Sequence, residues 1–404
     1  MTTTINNEHK KLNVPNLRFK EFEGEWSVTT LQKDCIVNPT NEKIADKFVY
    51  VDLESVKQGQ LYKYQILTKD NAPSRAQRVL HTDDILFQCV RPYQMNNYMV
   101  KGTMSDIQWV ASTGYAQIRT QTDYPAFLYY VLNTSKYNKA VMVRCTGSSY
   151  PAINSEDLSK IPFYKCGIAE QKKIADFLSL LDERIATQNK VIDKLQSLIK
   201  GLNDTLYAQH SDEVMTSFAE LGTSYSGLSG KSAQDFGSGK PFITYLNVYS
   251  NNIINKNDFQ YVAIKDGEKQ NIVEYGDVLF TLSSETPNEV GIGSVFLGKE
   301  KVYLNSFCFG IHITNKEVAF SPYLSYYVSS TAFRKFIYPY AQGSTRFNLC
   351  KADFEKASIK LPTLENQKRI YSILSHIDNK IITERQMLDL YNSQKQYLLR
   401  QMFI

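Results

Sequence analysis

The chain has 404 residues, and its 46 Lys and Arg against 41 Asp and Glu leave a formal charge of +5, too small a surplus for a basic tail or a polycation. Hydrophobic residues at 43% and aromatics at 12% are ample for globular cores and argue against disorder, and the length predicts two domains or more. Apolar runs such as Phe127 to Leu132 reach about six residues, far short of the ~20 that a spanning helix needs, so the chain does not read as a membrane protein.

From the N-terminus, Met1 to Lys10 is polar and lacks the apolar centre of a signal peptide, which predicts a cytoplasmic protein. Cys35, Cys89, Cys145, Cys166, Cys308 and Cys350 lie far apart without a Cys-x-x-Cys pair, and read as reduced, buried thiols. Phe48 to Leu53, Asp84 to Cys89 and Gly114 to Arg119 carry strand patterns, and Tyr124 to Asn138 reads as a helix. Next come Ile174, Leu178, Leu181, Ile185, Gln188, Ile192, Leu195, Ile199, Leu202 and Leu206, stepping by four and three without a break, the pattern of a coiled-coil seam. Gly227 to Gly239 is rich in Gly and Ser and reads as an exposed loop. Phe242 to Val248, Asp277 to Leu282, Val290 to Leu297 and Phe307 to Ile313 read as strands, and Ser321 to Ile337 as a helix. A second seam closes the chain: Ile370, Leu374, Ile377, Ile381, Glu384, Leu388, Tyr391, Lys395, Leu398 and Met402.

The second half repeats the first. Gln171-Lys172-Lys173-Ile174 matches Gln367-Lys368-Arg369-Ile370 at a spacing of 196, followed by Leu178/Leu374, Asp182/Asp378 and Ile185/Ile381. Upstream, Gly147-Ser148-Ser149 meets Gly343-Ser344-Thr345 at the same spacing, and Asp84 to Phe87 meets Asp277 to Phe280 at 193. The period is far too long for a solenoid, so this is a duplicated domain. Gln188 and Glu384 fall at equivalent seam positions, and matched polar seam residues predict that the two helices pair with each other. A pseudo-two-fold axis would make that pair antiparallel, with a domain at each end; Gln171 to Leu206 would form a spacer of roughly 54 Å. The competing reading is two amphipathic helices lying on their own domains. The expected fold is α+β: two pseudo-two-fold-related α/β domains separated by a long antiparallel coiled coil.

Catalytic constellations are wanting. Gly237-Ser238-Gly239-Lys240 resembles the end of a phosphate loop, but Pro241 stands where a hydroxyl should ligate magnesium and Gln234 replaces the first glycine. His9, His81, His210, His312 and His376 form no i,i+4 pair for a metal, and Cys308 with His312 reads as a core pair. Asn38-Pro39-Thr40-Asn41 lacks the Pro-Pro-aromatic sequence expected of an amino-methyltransferase, and Asp266-Gly267-Glu268-Lys269 reads as a solvated turn. Binding chemistry is better represented. Arg75, Arg78, Arg91, Tyr93, Gln94, Asn96 and Lys101, with Asn97 and Tyr98, offer cations for phosphates and amide or guanidinium groups for base edges. Arg144, Ser148, Ser149 and Tyr150 surround Gly147, and Gln342, Ser344, Thr345 and Arg346 surround its copy Gly343. Ser283, Ser284, Thr286 and Asn288 add to the second copy. A shared framework with different loops is what two readers of different sequences need.

These features together resemble the specificity subunit of type I restriction-modification systems. Val14-Pro15-Asn16-Leu17-Arg18-Phe19 leading to Trp26 looks like the opening of such subunits, and Ile161-Pro162 and Leu361-Pro362, each leading into its long helix, are similar too. The resemblance implies a non-catalytic subunit with target recognition domains at residues 1–166 and 211–362 and conserved spacer helices at 167–210 and 363–404. It implies recognition of an asymmetric bipartite site on double-stranded DNA, with two methyltransferase and two restriction subunits as partners. S-adenosylmethionine, ATP and Mg would belong to those partners, with no cofactor and no metal on this chain. Lys395 departs from the pattern, standing where the first helix has Ile199, so the resemblance leaves that stretch facing a partner or solvent. The alternative from another class is a coiled-coil adaptor with two protein- or glycan-binding domains, for which DNA affinity would not fall with salt.

Overall fold

The computed structural model describes residues 13–40, 42–102, 107–208 and 213–404; His9, His210 and the Met1 to Lys10 stretch lie outside them. The chain divides into two units, Met1–Asn189 with Gln386–Ile404, and Lys190–Arg385.

In the first unit an antiparallel sheet runs in the order Cys35–Val37, Tyr115–Thr120, Ile85–Gln88, Tyr98–Met99. A second, mixed sheet runs Gln65–Thr68, Lys47–Val51, Gln108–Ser112, Ala76–Val79, with its central pair parallel. A strand as short and as deeply buried as Ile85–Gln88 (Ile85, Leu86 and Phe87 are all within 1% of complete burial) is that of a sheet covered on both faces. The second unit repeats the antiparallel sheet as Gly222–Ser226, Cys308–Ile313, Val278–Thr281, Gly293–Val295. A three-stranded sheet follows as Gln260–Val262, Phe236–Ile243, Tyr303–Leu304.

The helix expected from Tyr124 to Asn138 is two helices, Pro125–Leu132 and Ser135–Arg144, because the Thr134 side chain accepts the Tyr137 amide and opens a new N-terminus. The copy splits in the same way into Ser321–Tyr327 and Thr331–Ile337, with Ser330 capping Phe333. Phe242 to Val248 is strand only to Ile243; Thr244 accepts the Asn247 amide and starts a short helix, Tyr245–Ser250. Gly227 to Gly239 is not wholly a loop: Leu228 is buried, and the strand begins at Phe236. Gly237 to Lys240 therefore lies in a strand, which no helix follows directly enough to cradle a phosphate. Cys35, Cys89 and Cys308 are buried; Cys145, Cys166 and Cys350 are partly exposed, and all six are free thiols. Among the described residues no cluster of side chains could hold a metal, and no helix is long and apolar enough to cross a membrane.

Two long helices, Ile168–Ala208 and Leu364–Gln401, each contribute to both units. In the first unit Leu178 and Ile174 share a core with Leu398, Leu399 and Met402. There Arg184 lies over Tyr391 and Lys395 pairs with Asp182, so the two stretches run antiparallel. In the second unit Ile199, Leu202 and Leu206 pack on the core that holds Ile370 and Leu374. Ile174, Leu178, Ile185, Ile192, Ile370, Leu374 and Ile381 of the seam are buried, and Leu181, Gln188, Leu195, Ile377, Glu384, Leu388 and Tyr391 are half-buried.

Lys395 does not face solvent or an empty surface. Its ammonium sits 2.6 Å from Asp182, whose other oxygen accepts the Tyr130 hydroxyl at 2.8 Å. The copy of this carboxylate, Asp378, also accepts a tyrosine hydroxyl, from Tyr326, but the position equivalent to Lys395 is Ile199. Burial raises the Asp378 carboxyl above the usual carboxylate range, more than its hydrogen bond lowers it. A folded pKa above the unfolded one means that stability falls as pH rises from the ordinary carboxylate range through the folded value. Asp378→Asn keeps an oxygen for Tyr326 and should raise the second unit's unfolding midpoint at neutral pH, and raise it less near pH ~4. Melting curves followed by circular dichroism at the two pH values measure this; a midpoint lowered equally at both would contradict it.

Candidate nucleic-acid interface

In the first unit the strand Ile85–Gln88 delivers the chain into Arg91 to Asn96. Arg91 and Met95 bracket this turn with left-handed backbone at φ 55° and 52°, which costs on the order of 1 kcal/mol each and needs firm anchoring. Gln88 is the anchor. Its side-chain nitrogen donates to the Val90 carbonyl and to Gln94 Oε1, both at 2.8 Å, its Oε1 accepts the Asn96 amide at 3.1 Å, and its own amide donates to Asn97. The residues after helix Ser135–Arg144 fold back onto this turn. Thr146 and Ala152 exchange two backbone hydrogen bonds at 2.9 Å, Gly147 takes φ 87°, and the Arg91 amide donates to Pro151 at 2.8 Å. The Arg91 guanidinium then lies 4.5 Å over the exposed Tyr150 ring. Two segments far apart in sequence thus join into one surface that holds Arg91, Tyr93, Gln94, Asn96, Ser148, Ser149 and Tyr150.

The second unit makes the same three-chain arrangement. Ser283–Ser284 pairs with Phe347–Leu349, which pairs with Ala341–Gln342. The matching positions are Val90, Ala152 and Thr146, bridged in the same order, so the repeat holds in the contacts as well as in the letters. Gly343 takes φ 143°, and Ser344, Thr345 and Arg346 are exposed, with the Arg346 guanidinium 5.8 Å from the Phe307 ring.

Other candidates lie differently. Asn97 and Tyr98 are buried framework, and Ser283 at 6% exposure is turned from solvent. Arg78 donates its Nε to the Tyr115 carbonyl, and burial depresses its guanidinium pKa. Arg75, Lys101 and Arg144 are exposed, Arg144 reaching back to the Ala140 carbonyl. Ser284 and Thr286 donate their hydroxyl protons to Glu289, which also accepts from Tyr249, and these bonds hold that carboxyl below its ordinary range. Asn288 is exposed, and Arg334 clamps its carbonyl together with those of Val290 and Gly291. The scattered histidines also resolve: His312 stacks on Tyr225 at 4.2 Å and bonds Asp277 at 2.9 Å, so its partner is Asp277 rather than Cys308. Glu268 of the acidic turn is tied to Lys231. Two anchors escaped the sequence reading. Gln88, a polar residue inside the apolar run Ile85 to Val90, left a signal; Arg334 left none.

A family model described as the type I restriction modification DNA specificity domain matches residues 36–197 and again 226–390. The chain belongs to that family. The specificity subunit is similar to the putative type I restriction enzyme MjaX specificity subunit of Methanocaldococcus jannaschii, 23% identical over 93% of this chain and 92% of that one. Among solved structures it resembles a chain from work on complex assembly and conformational transition of the type I system, with TM-score 0.57, 19% identity, and 93% and 96% of the two chains covered. It also resembles the S subunit from M. genitalium, with TM-score 0.55, 15% identity, and 97% and 99% covered. At these identities the structural likeness is one of fold. The subunit supplies DNA specificity to a type I system and is not itself an enzyme.

Gly343 shows how tightly the surface of the specificity subunit is drawn. A Cβ there would lie 2.1 Å from the Arg346 carbonyl oxygen, at a φ that favours glycine. Gly147 is looser, with the Tyr150 oxygen 3.0 Å from its Cβ position. Gly343→Ala should therefore displace its loop more than Gly147→Ala does. Amide exchange at residues 341–349 should rise several-fold, while the change at 145–152 stays smaller.

Proposed function

We propose that each unit reads one half of an asymmetric, bipartite site on double-stranded DNA, and that the two halves differ because the two loop clusters differ. The observation that carries this is the matched framework holding unmatched chemistry: Arg91, Tyr93, Gln94, Asn96 and Tyr150 in one unit, Gln342, Ser344, Thr345 and Arg346 in the other. Guanidinium and amide groups can read base edges, while the small hydroxyls Ser148, Ser149, Ser344 and Thr345 and the cations Arg75, Lys101 and Arg144 suit phosphates. On this reading residues 1–166 and 211–362 are the target recognition domains, and 167–210 and 363–404 are the spacer helices that set the gap. The working assembly joins two methyltransferase subunits, which methylate adenine with S-adenosylmethionine, and two restriction subunits, which use ATP and Mg. This chain binds DNA and its partner subunits, holds no cofactor, and works in the cytoplasm beside the chromosome.

The test is to co-express the chain with its methyltransferase partner and map methylated adenines in host DNA by single-molecule sequencing. A split, asymmetric motif with a fixed gap is expected, and exchanging residues 213–360 for those of a relative should change one half alone. An unsplit motif, or none from a soluble complex, would contradict the reading. Affinity should also fall with added salt, by about 0.9 log units per tenfold salt for each phosphate contacted.

A further inference from the structure

We infer that the hairpin formed by Val56–Lys57 and Gln60–Leu61 is a second base-reading element of the first unit, entering the major groove beside the Arg91 turn. The inference rests on the proposed DNA-reading role of that turn and extends it to a segment 30 residues earlier in the chain. The hairpin is built to hold a fixed shape. Gln58 and Gly59 take φ 51° and 77°, the two-residue turn that matches the twist of paired strands. Its base is locked by Ser55, whose carbonyl accepts the Tyr62 amide at 2.8 Å and whose hydroxyl accepts the Asp52 amide at 2.9 Å. Its tip is seated on the framework at Gly59, where a Cβ would lie 2.4 Å from the buried Tyr129 hydroxyl.

One contact ties it to the reading turn: the Gln58 amide donates to Asn96 Oδ1 at 3.1 Å. The side chains this leaves in solvent suit DNA. Lys57, Gln58 and Gln60 are exposed, Lys57 lies 6.0 Å from the exposed Tyr62 ring, and Lys57 to Gln60 includes no carboxylate. A two-stranded ribbon fits the major groove, and a glutamine amide there matches the N6 and N7 of adenine.

The second unit supplies an independent argument. Tyr50 and Val51 pair in parallel with Val110 and Ala111, as Phe242 and Ile243 pair with Tyr303 and Leu304. Immediately after these matched strands the two copies part: the first makes the hairpin, the second the helix Tyr245–Ser250. Both inserts lie against the reading turn of their own unit, the helix through Tyr245 to the Ser283 carbonyl at 2.8 Å and through Tyr249 to Glu289. The framework is kept, and the insert beside the reading turn is exchanged, as expected where two half-sites differ.

The test uses the chain co-expressed with its methyltransferase partner, with methylated adenines mapped in host DNA and rates measured on duplexes carrying the mapped site. Gln58→Gly, which tolerates the left-handed turn and removes the side-chain amide, and Gln60→Ala should relax base preference at one or two positions of one half-site, lowering discrimination there about tenfold. The other half should be unchanged, and so should the unfolding midpoint. If both variants keep the whole motif while Arg91→Ala alters the first half, the hairpin does not read bases and the turn does. If Arg91→Ala leaves the motif intact as well, the proposed interface fails and the inference falls with it.

Discussion

Asp84→Ala should unfold the first unit at markedly lower denaturant than the wild type, by roughly 3 kcal/mol or more. Asp84 is completely buried and accepts four hydrogen bonds: from the His81 amide at 2.8 Å, Gln117 Nε2 at 2.7 Å, and Arg119 Nε and a terminal nitrogen at 2.8 and 2.9 Å. Truncation leaves a guanidinium and an amide facing a cavity, and the cost of uncompensated polar groups exceeds the worth of any one bond they made. Both tryptophans, Trp26 and Trp109, are buried in this unit, so their fluorescence reports its unfolding and not the second unit's. Asp84→Asn, which keeps the shape and one of the two acceptor oxygens but loses the negative charge facing Arg119, should cost less than the alanine variant. An alanine variant whose fluorescence midpoint stays at the wild-type value would show that Arg119 and Gln117 find water instead.

The copy, Asp277, accepts from Tyr225, His312 and the Glu274 amide, and His312 and Glu274 are the counterparts of Arg119 and His81. The architecture of the pocket is kept while the side chain facing the carboxylate changes from arginine to histidine. This is why Asp84 and Asp277 were visible as a matched pair while their partners were not: alignment of letters finds the acceptor, and the donors had diverged. The long helices were legible for the opposite reason. Their seams repeat one chemical requirement, an apolar residue every three or four positions, which no local competitor interrupts. Lys395 broke that rule because its partner, Asp182, is fixed by Tyr130 from outside the helix, which no heptad pattern encodes.

The candidate interface was legible by type and less so by membership. Arg91 and Tyr150 both read from sequence as loop residues; that one stacks on the other depends on Gln88 and on the Thr146–Ala152 pairing, which sequence spacing does not encode. Ser284 and Thr286 look in sequence like phosphate donors, yet both spend their protons on Glu289, three to five residues away. The hairpin at Val56 to Leu61 carries Gln58-Gly59 at its turn, a weaker hairpin signal than Asn-Gly, and passed unread.

Gln367→Ala should loosen the start of the second long helix and lower the second unit's stability by about 2–4 kcal/mol. The strongest identity between the repeats, Gln171 and Gln367, has a physical cause in the three bonds each side chain makes. Gln367, fully buried, accepts the Phe320 amide at 2.8 Å and donates to the carbonyls of Val318 and Pro362 at 2.7 and 2.8 Å. Gln171 accepts the Tyr124 amide and donates to Cys166 and Asp123. In each unit one amide thus fastens the end of the last strand, the segment before the helix pair and the first turn of the long helix, none of which regular secondary structure joins. Alanine leaves an amide and two carbonyls buried without partners, and glutamate, isosteric but without a donor, should be no better. Amide exchange at Phe320 and across residues 362–370 should rise by at least tenfold in Gln367→Ala, with the tryptophan transition of the first unit little moved. Gln171→Ala should show the reverse, shifting the fluorescence midpoint and sparing Phe320. Equal shifts in both units from either variant would mean that each glutamine stabilises the helix pair as a whole rather than its own junction.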